Sequence, residues 1–215
     1  MMDADYSDLS NLPLDRRWHG QVYPAPIVVA LIRRQFRKPE PSEIESHYLL
    51  IRRKTSPYDG HWALVGGKWD FGETLHDAII REVKEETDLD TTFVAVRGLV
   101  SERVVPPQDA QQAAHFLLFV CELSAARGQA KEQNEGEVGW FSCDQIEELN
   151  ESGKIIPSDY AMIRSFAGAS ETVPLIEAEM RAPIDAGSDD PVQLVRFERI
   201  EGEISGMNSE GGRGC

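Results

Sequence analysis

Three carboxylates lie within two turns of one stretch of the chain: Glu82, Glu85 and Glu86. The surrounding residues, Leu75-His-Asp-Ala-Ile-Ile-Arg-Glu-Val-Lys-Glu-Glu-Thr87, carry a helical hydrophobic period, and Thr74 is placed to cap a helix running from 74 to about 87. On a wheel of about 100° per residue with Leu75 at zero, Ala78, Ile79 and Val83 define the core face. Glu82 and Glu86 fall within about 20° of its centre and Glu85 at about 80°, on its edge. An apolar stripe that turns acidic puts carboxylates where burial would penalise their charge. Glu82 and Glu86 are also a like-charged i,i+4 pair. Such a cluster calls for cations, and on this wheel Arg81 and Lys84 project away from it. Oxygen-only donors of this kind suit Mg²⁺ or Mn²⁺ rather than Zn²⁺. The helix alone leaves two readings open, a divalent-metal site and a solvated acidic helix end.

The longer segment Gly67-Lys-Trp-Asp-Phe-Gly-Glu73 followed by Arg81-Glu82-Val83-Lys-Glu85-Glu86-Thr-Asp88-Leu89 resembles the signature box of the Nudix family, Gx5Ex7REUxEExGU, where U is a bulky aliphatic residue. Gly67, Glu73, Arg81, Glu82, Val83, Glu85, Glu86 and Leu89 match in register, and Asp88 stands where the pattern has glycine. Average residue usage gives such a match a chance on the order of 10⁻⁸ per starting position. Asp tolerates the left-handed backbone found just past a helix better than most residues, but it meets the negative end of the helix dipole. The expectation is a modest loss of stability. Val65 is a softer departure, since many relatives place proline before the two glycines.

The resemblance covers about residues 22–167 and implies an α/β/α sandwich around a mixed β-sheet. It implies a Mg²⁺-dependent hydrolase, with Mn²⁺ as a substitute, that cleaves a diphosphate linkage in a nucleoside diphosphate attached to another group. Carried over to this chain, Glu82, Glu85 and Glu86 hold metal, with the Gly66 carbonyl a further ligand. Glu82 and Glu85 also count as catalytic. Arg81 pairs with Glu73 as structural support, since an arginine fork suits a carboxylate. Glu135 and Glu137 are the candidates for a late acid that assists the water, against a reading as ordinary loop charge. Arg52 and Arg53 are candidates for holding substrate phosphates, against a reading as solubilising strand-end charge. Trp62, Trp69 and Trp140 are read as packing aromatics rather than base-stacking platforms.

The run Leu50-Ile-Arg-Arg-Lys and the sequence Trp62-Ala-Leu-Val-Gly-Gly look most like ADP-ribose and nucleotide-sugar pyrophosphatases. Pro106 and Pro107 lie near, but not in register with, a proline of some ADP-ribose hydrolases. Hydrolysis of noncanonical nucleoside triphosphates and a non-catalytic nucleotide-sugar sensor are the alternatives.

The elements that must position these residues are short. Ile27–Ile32, Tyr48–Ile51 and Trp62–Val65 read as strands, the third ending at Gly66-Gly67. Residues 91–105, 115–120 and 138–141 read as strands, and 144–149 and 158–166 as helices. The chain divides into an N-terminal arm at 1–21, a catalytic domain at 22–169 and an acidic extension at 170–215. Within that extension, ten acidic residues face four basic ones. Its one strand-like island, 192–200, is a candidate for a sheet edge in the same chain or in a second copy, so a homodimer is among the expectations.

The 215 residues carry 37 acidic against 22 Lys and Arg side chains, a formal charge of −15. Such a charge argues against nucleic acid or an anionic membrane as partner, since both need a basic footprint. It also argues against the DNA-binding module that a sensor would need. A nucleotide-type small molecule is the expected partner. Three cysteines without CxxC spacing read as neither a disulfide framework nor a zinc site, and the absence of an apolar leader fits a cytoplasmic protein.

Overall fold

The computed structural model describes residues 13–37, 44–56, 58–104, 113–125, 130, 131, 133, 136–181 and 193–200. Strands β1 (Ala25–Arg37), β2 (Ile44–Arg53), β3 (Trp62–Lys68), β4 (Thr91–Val104), β5 (Ala114–Ala125) and β6 (Gly136–Ser142) form one sheet in the order β4-β5-β1-β3-β2-β6. β1 runs parallel to β5, while its pairings with β2 and β3 are antiparallel, so the sheet is mixed. Helix α1 (Leu75–Thr87) covers one face; α2 (Cys143–Glu151) and α3 (Pro157–Phe166) cover the other.

Strand alternation builds this sandwich. Val28, Ala30 and Ile32 of β1 join Leu75, Ala78, Ile79 and Val83 of α1 in one core layer. Val29 and Leu31 of the same strand join Ile146, Met162 and Ile163 in the other. A strand buried on both faces reads as the unbroken apolar run seen at Ile27–Ile32. Among the described residues, no helix is long and apolar enough to cross a membrane.

Strand β1 divides the sheet. Its first half, Ile27–Ala30, pairs with Val65–Lys68 of β3, and its second half, Arg33–Arg37, leaves β3 to pair with Ile44–Tyr48 of β2. The start of β3 thereby loses a neighbour on that side. The segment before α3 takes its place: Trp62 donates its N–H to the Lys154 carbonyl at 2.8 Å, and its carbonyl accepts from Ile156 at 2.9 Å. Leu64 N–H then meets the Asp159 carboxylate at 3.0 Å. A buried backbone donor needs such an acceptor.

Several expectations shift. β3 does not stop before Gly66-Gly67 but runs through both glycines to Lys68. β1 extends beyond the apolar run to Arg37 because β2 receives its second half. The 192–200 island is strand β8 (Gln193–Ile200), and its partner is β7 (Leu175–Arg181) of the same chain. Leu175 and Ile200 rest against the α1-side core, while Phe197 is 64% exposed. In the arm, residues 14–20 form two short 3-10 turns docked on β5, with Trp18 N–H reaching the Ala113 carbonyl at 2.8 Å. Cys121 is a free buried thiol, pushed up to about 12 by desolvation.

Burial pushes the Asp159 carboxyl up to about 7 from an ordinary 3.8. Because the folded value is raised, its contribution to stability is full below about pH 4 and is lost as pH rises through about 7. Asp159→Asn keeps an oxygen for Leu64 and removes the titration, so the stability of that variant, followed by urea unfolding, loses this downward slope between pH 4 and 7. Asp159→Ala leaves the Leu64 N–H without an acceptor and costs about 1–3 kcal/mol.

Candidate active site

Helix α1 begins as the sequence predicts. Thr74 is its N-cap and accepts from the Asp77 N–H at 3.3 Å. The helix lies against the second half of β3, and two close approaches fix the register between them. Gly66 donates its N–H to a Glu86 carboxylate oxygen at 3.1 Å. Gly67 has the Glu82 carboxylate directly over its Cα, where a Cβ would sit 2.4 Å from an oxygen. A side chain at Gly66 would meet the Val28 carbonyl oxygen at 2.1 Å. The glycine pair is therefore what lets the acidic face of α1 reach the sheet.

The three acids differ in exposure. The Glu86 residue is 6% exposed, the Glu82 side chain 13% and the Glu85 side chain 60%. Their compensation corrects the wheel, on which Arg81 points away. Nε and Nη2 of Arg81 grip both oxygens of Glu73 at 2.7 and 2.9 Å, and Nη1 reaches Glu82 at 2.8 Å and Glu85 at 3.2 Å. Nη2 also donates to the Lys68 carbonyl at 3.1 Å. A long side chain swings well beyond the direction of its Cβ, which a wheel does not represent. The guanidinium holds the Glu73 carboxyl below the usual carboxylate range, and Glu73 and Glu82 together raise Arg81 above its already high value. The Trp69 indole donates to the Glu73 carbonyl at 3.1 Å, closing the loop between β3 and α1.

The late candidates lie elsewhere in the fold. Glu137 pairs with Arg52 at 3.6 Å across β2 and β6, with both side chains more than half exposed. Arg52 also donates to the Gly60 carbonyl at 3.1 Å, and Arg53 to Thr55 Oγ1 at 3.4 Å. Arg52 sits opposite Trp62 at the start of β3, whereas the acids of α1 meet its far end at Gly66 and Gly67. Glu135, Pro106 and Pro107 lie outside the described residues. Trp62 packs on Phe141 and Trp69 on Phe119, while Trp140 carries the Arg34 guanidinium 4.4 Å above its ring.

A Mg²⁺ ion is the cofactor such an acid set implies. Among the described residues, no three acidic, His or Cys side chains converge into a ready cage. The Arg81 guanidinium stands between Glu82 and Glu85 instead. The donor chemistry nevertheless fits a hard divalent cation: three carboxylates on one helix face, one of them tethered by a backbone N–H. Arg81 keeps two nitrogens on Glu73 whichever acid its third engages.

Known proteins resemble this chain. The NUDIX domain family model matches residues 26–164. An ADP-ribose pyrophosphatase of Methanocaldococcus jannaschii is 32% identical over 119 residues, which are 55% of this chain and 68% of that protein. The uncharacterized Nudix hydrolase YvcI of Bacillus subtilis is 27% identical over 108 residues, 50% of this chain and 65% of that one. A solved NUDIX hydrolase from Nitrosomonas europaea superposes with a TM-score of 0.49 at 19% identity, covering 66% of this chain and 86% of that one. The chain belongs to the Nudix family. By class it is a Nudix hydrolase, an enzyme.

Sequence reasoning missed Asp159 and Lys131. Asp159 reads as an ordinary first-turn acid after Pro157, and only the division of the sheet gives it a buried donor to satisfy.

The two glycines respond differently to substitution. Gly66→Ala drives a Cβ into the fixed Val28 backbone and lowers stability by about 1–3 kcal/mol or more. Gly67→Ala meets only the far end of the Glu82 side chain, so its melting temperature stays close to the parent while the acid is displaced. Thermal unfolding of both variants distinguishes the two effects.

Proposed function

We propose that the chain hydrolyses, with Mg²⁺, the diphosphate linkage of a nucleoside diphosphate joined to another group, with ADP-ribose or a nucleotide sugar as substrate. The observation that carries this reading is the acid face of α1, set against Gly66 and Gly67 and organised by the Arg81–Glu73 fork. The similarity to an archaeal ADP-ribose pyrophosphatase supports the substrate class.

Glu82, Glu85 and Glu86 would hold the metal, with the Gly66 carbonyl as a further ligand. A metal held there would supply charge neutralisation to phosphate oxygens and a lowered pKa to an attacking water. Burial of Glu82 and Glu86 strengthens their field at that point by excluding water. Glu85, the most exposed of the three, is the acid turned toward substrate and water, with Arg81 on one of its oxygens. Arg81 and Glu73 keep the α1 face rigid, which matters because small displacements of reacting groups are costly in rate. Arg52 or Arg53 would hold the far end of an extended substrate, where Glu137 pairs with Arg52, and Glu135 would be the late acid that assists the water.

The test is phosphate or mononucleotide release from ADP-ribose, NADH, nucleotide sugars and nucleoside triphosphates, with Mg²⁺ and with chelator. Turnover that needs metal and falls at least a hundredfold in Glu85→Gln, an effect on the order expected for a group acting at the reacting centre, is the expected result. Preference for nucleoside triphosphates would overturn the substrate class. Metal-independent turnover, or full activity in Glu85→Gln, would overturn the mechanism.

A further inference from the structure

The one departure from the box, Asp88, takes up the left-handed conformation a helix end requires, at φ 57° and ψ 11°, and its N–H closes on the Lys84 carbonyl at 3.0 Å. On local grounds glycine would serve better. It has no Cβ to strain the backbone and no charge to oppose the helix dipole. What aspartate adds is a carboxylate with two oxygens. One meets Lys84 Nζ at 3.0 Å and the other meets Lys131 Nζ at 3.1 Å. Lys84 has a further carboxylate in Asp90, at 2.9 Å.

Lys131 belongs to the connection from β5 to β6, and it is held at this point twice. Its backbone N–H donates to the Thr87 carbonyl at 2.9 Å, one residue before Asp88. Thr87 is a firm anchor: it is fully buried, and its hydroxyl donates to the Val83 carbonyl at 2.6 Å and accepts from Leu89 N–H at 3.2 Å. Ala130 beside it packs against the α1-side core. Five residues after Lys131, Gly136 opens β6 opposite Arg53, with Glu137 opposite Arg52. Ala130 and Lys131 are thus fixed to the end of the helix that carries Glu85 and Glu86.

We propose that Asp88 is a positioning residue: its carboxylate latches Lys131 onto the end of α1, and so steadies the end of the helix whose acid face forms the site. The residue where this chain departs from its family pattern acquires a function that glycine cannot perform. An exposed ion pair contributes little to global stability. The latch therefore acts on geometry at the site more than on the fold. The functional consequence rests on the hydrolase reading above; the structural one does not.

Asp88→Gly tests it, because glycine suits the backbone there and leaves α1 intact. Asp88→Asn, which keeps an oxygen for lysine, and Lys131→Met complete the set. Amide hydrogen exchange at Lys131 is the first readout. It speeds up in Asp88→Gly and Lys131→Met, less in Asp88→Asn, while exchange within α1 and the melting temperature stay near the parent. The second readout is turnover with Mg²⁺. kcat falls by roughly two- to fivefold with a smaller change in KM, Asp88→Asn retains part of the activity, and the double variant Asp88→Gly/Lys131→Met is no worse than either single one. Unchanged exchange at Lys131 in Asp88→Gly overturns the latch. Faster exchange with wild-type kcat overturns its role in positioning. Absence of turnover in the parent protein contradicts the hydrolase reading instead, and the exchange arm still decides the latch.

Discussion

The Arg81 guanidinium is the interaction on which the site depends. Burying Glu82 and Glu86 against the sheet, one helical turn apart, sets like charges side by side in a poorly solvated place. Arg81 offsets that by spending two nitrogens on Glu73 and a third on Glu82 and Glu85. Glu73 lies outside the helix, in the loop that leaves β3, so the same fork that neutralises the acids also ties the loop to the helix. Losing it would disturb charge balance and geometry together. The family pattern spaces Glu73 and Arg81 eight residues apart because the loop must turn and the helix must run two turns before the fork can close.

A second constraint comes from the sheet. β1 serves two neighbours in succession, β3 and then β2, and the backbone groups this strands at the start of β3 are satisfied by Lys154, Ile156 and Asp159. The far half of β3, free of that repair, carries the glycines and lies against α1. One strand thus has a structural end and an end that faces the acids. Arg52 and Arg53 border the first and the box acids meet the second.

Much of this was legible in the sequence for physical reasons. The unbroken apolar run at Ile27–Ile32 announces a strand covered on both faces, and the acids on the α1 stripe announce a charge problem that needs an answer. The box spacing then fixed the partners Glu73 and Arg81. Other features had no local signal. β7 has no clean alternation, and it became a strand because β8 and the core-facing Leu175 and Ile200 gave it something to pair with. Asp159 looks like any helix-start acid until a strand loses its neighbour. The wheel misjudged Arg81 because it tracks where side chains leave the helix and not where a long one ends. The aspartate at 88 read as a small defect; set against Lys131 it has a partner 43 residues away that no local pattern reveals.

We propose that Glu82, Glu85 and Glu86 together hold one divalent cation. Calorimetric titration of Mn²⁺ into the parent protein and into Glu86→Gln tests it most directly, since glutamine keeps an oxygen for the Gly66 N–H and removes only the charge. The account predicts saturable binding to the parent at a single class of sites and at least a tenfold weaker affinity in the variant, about 1.4 kcal/mol. Equal affinity in the two proteins would contradict it.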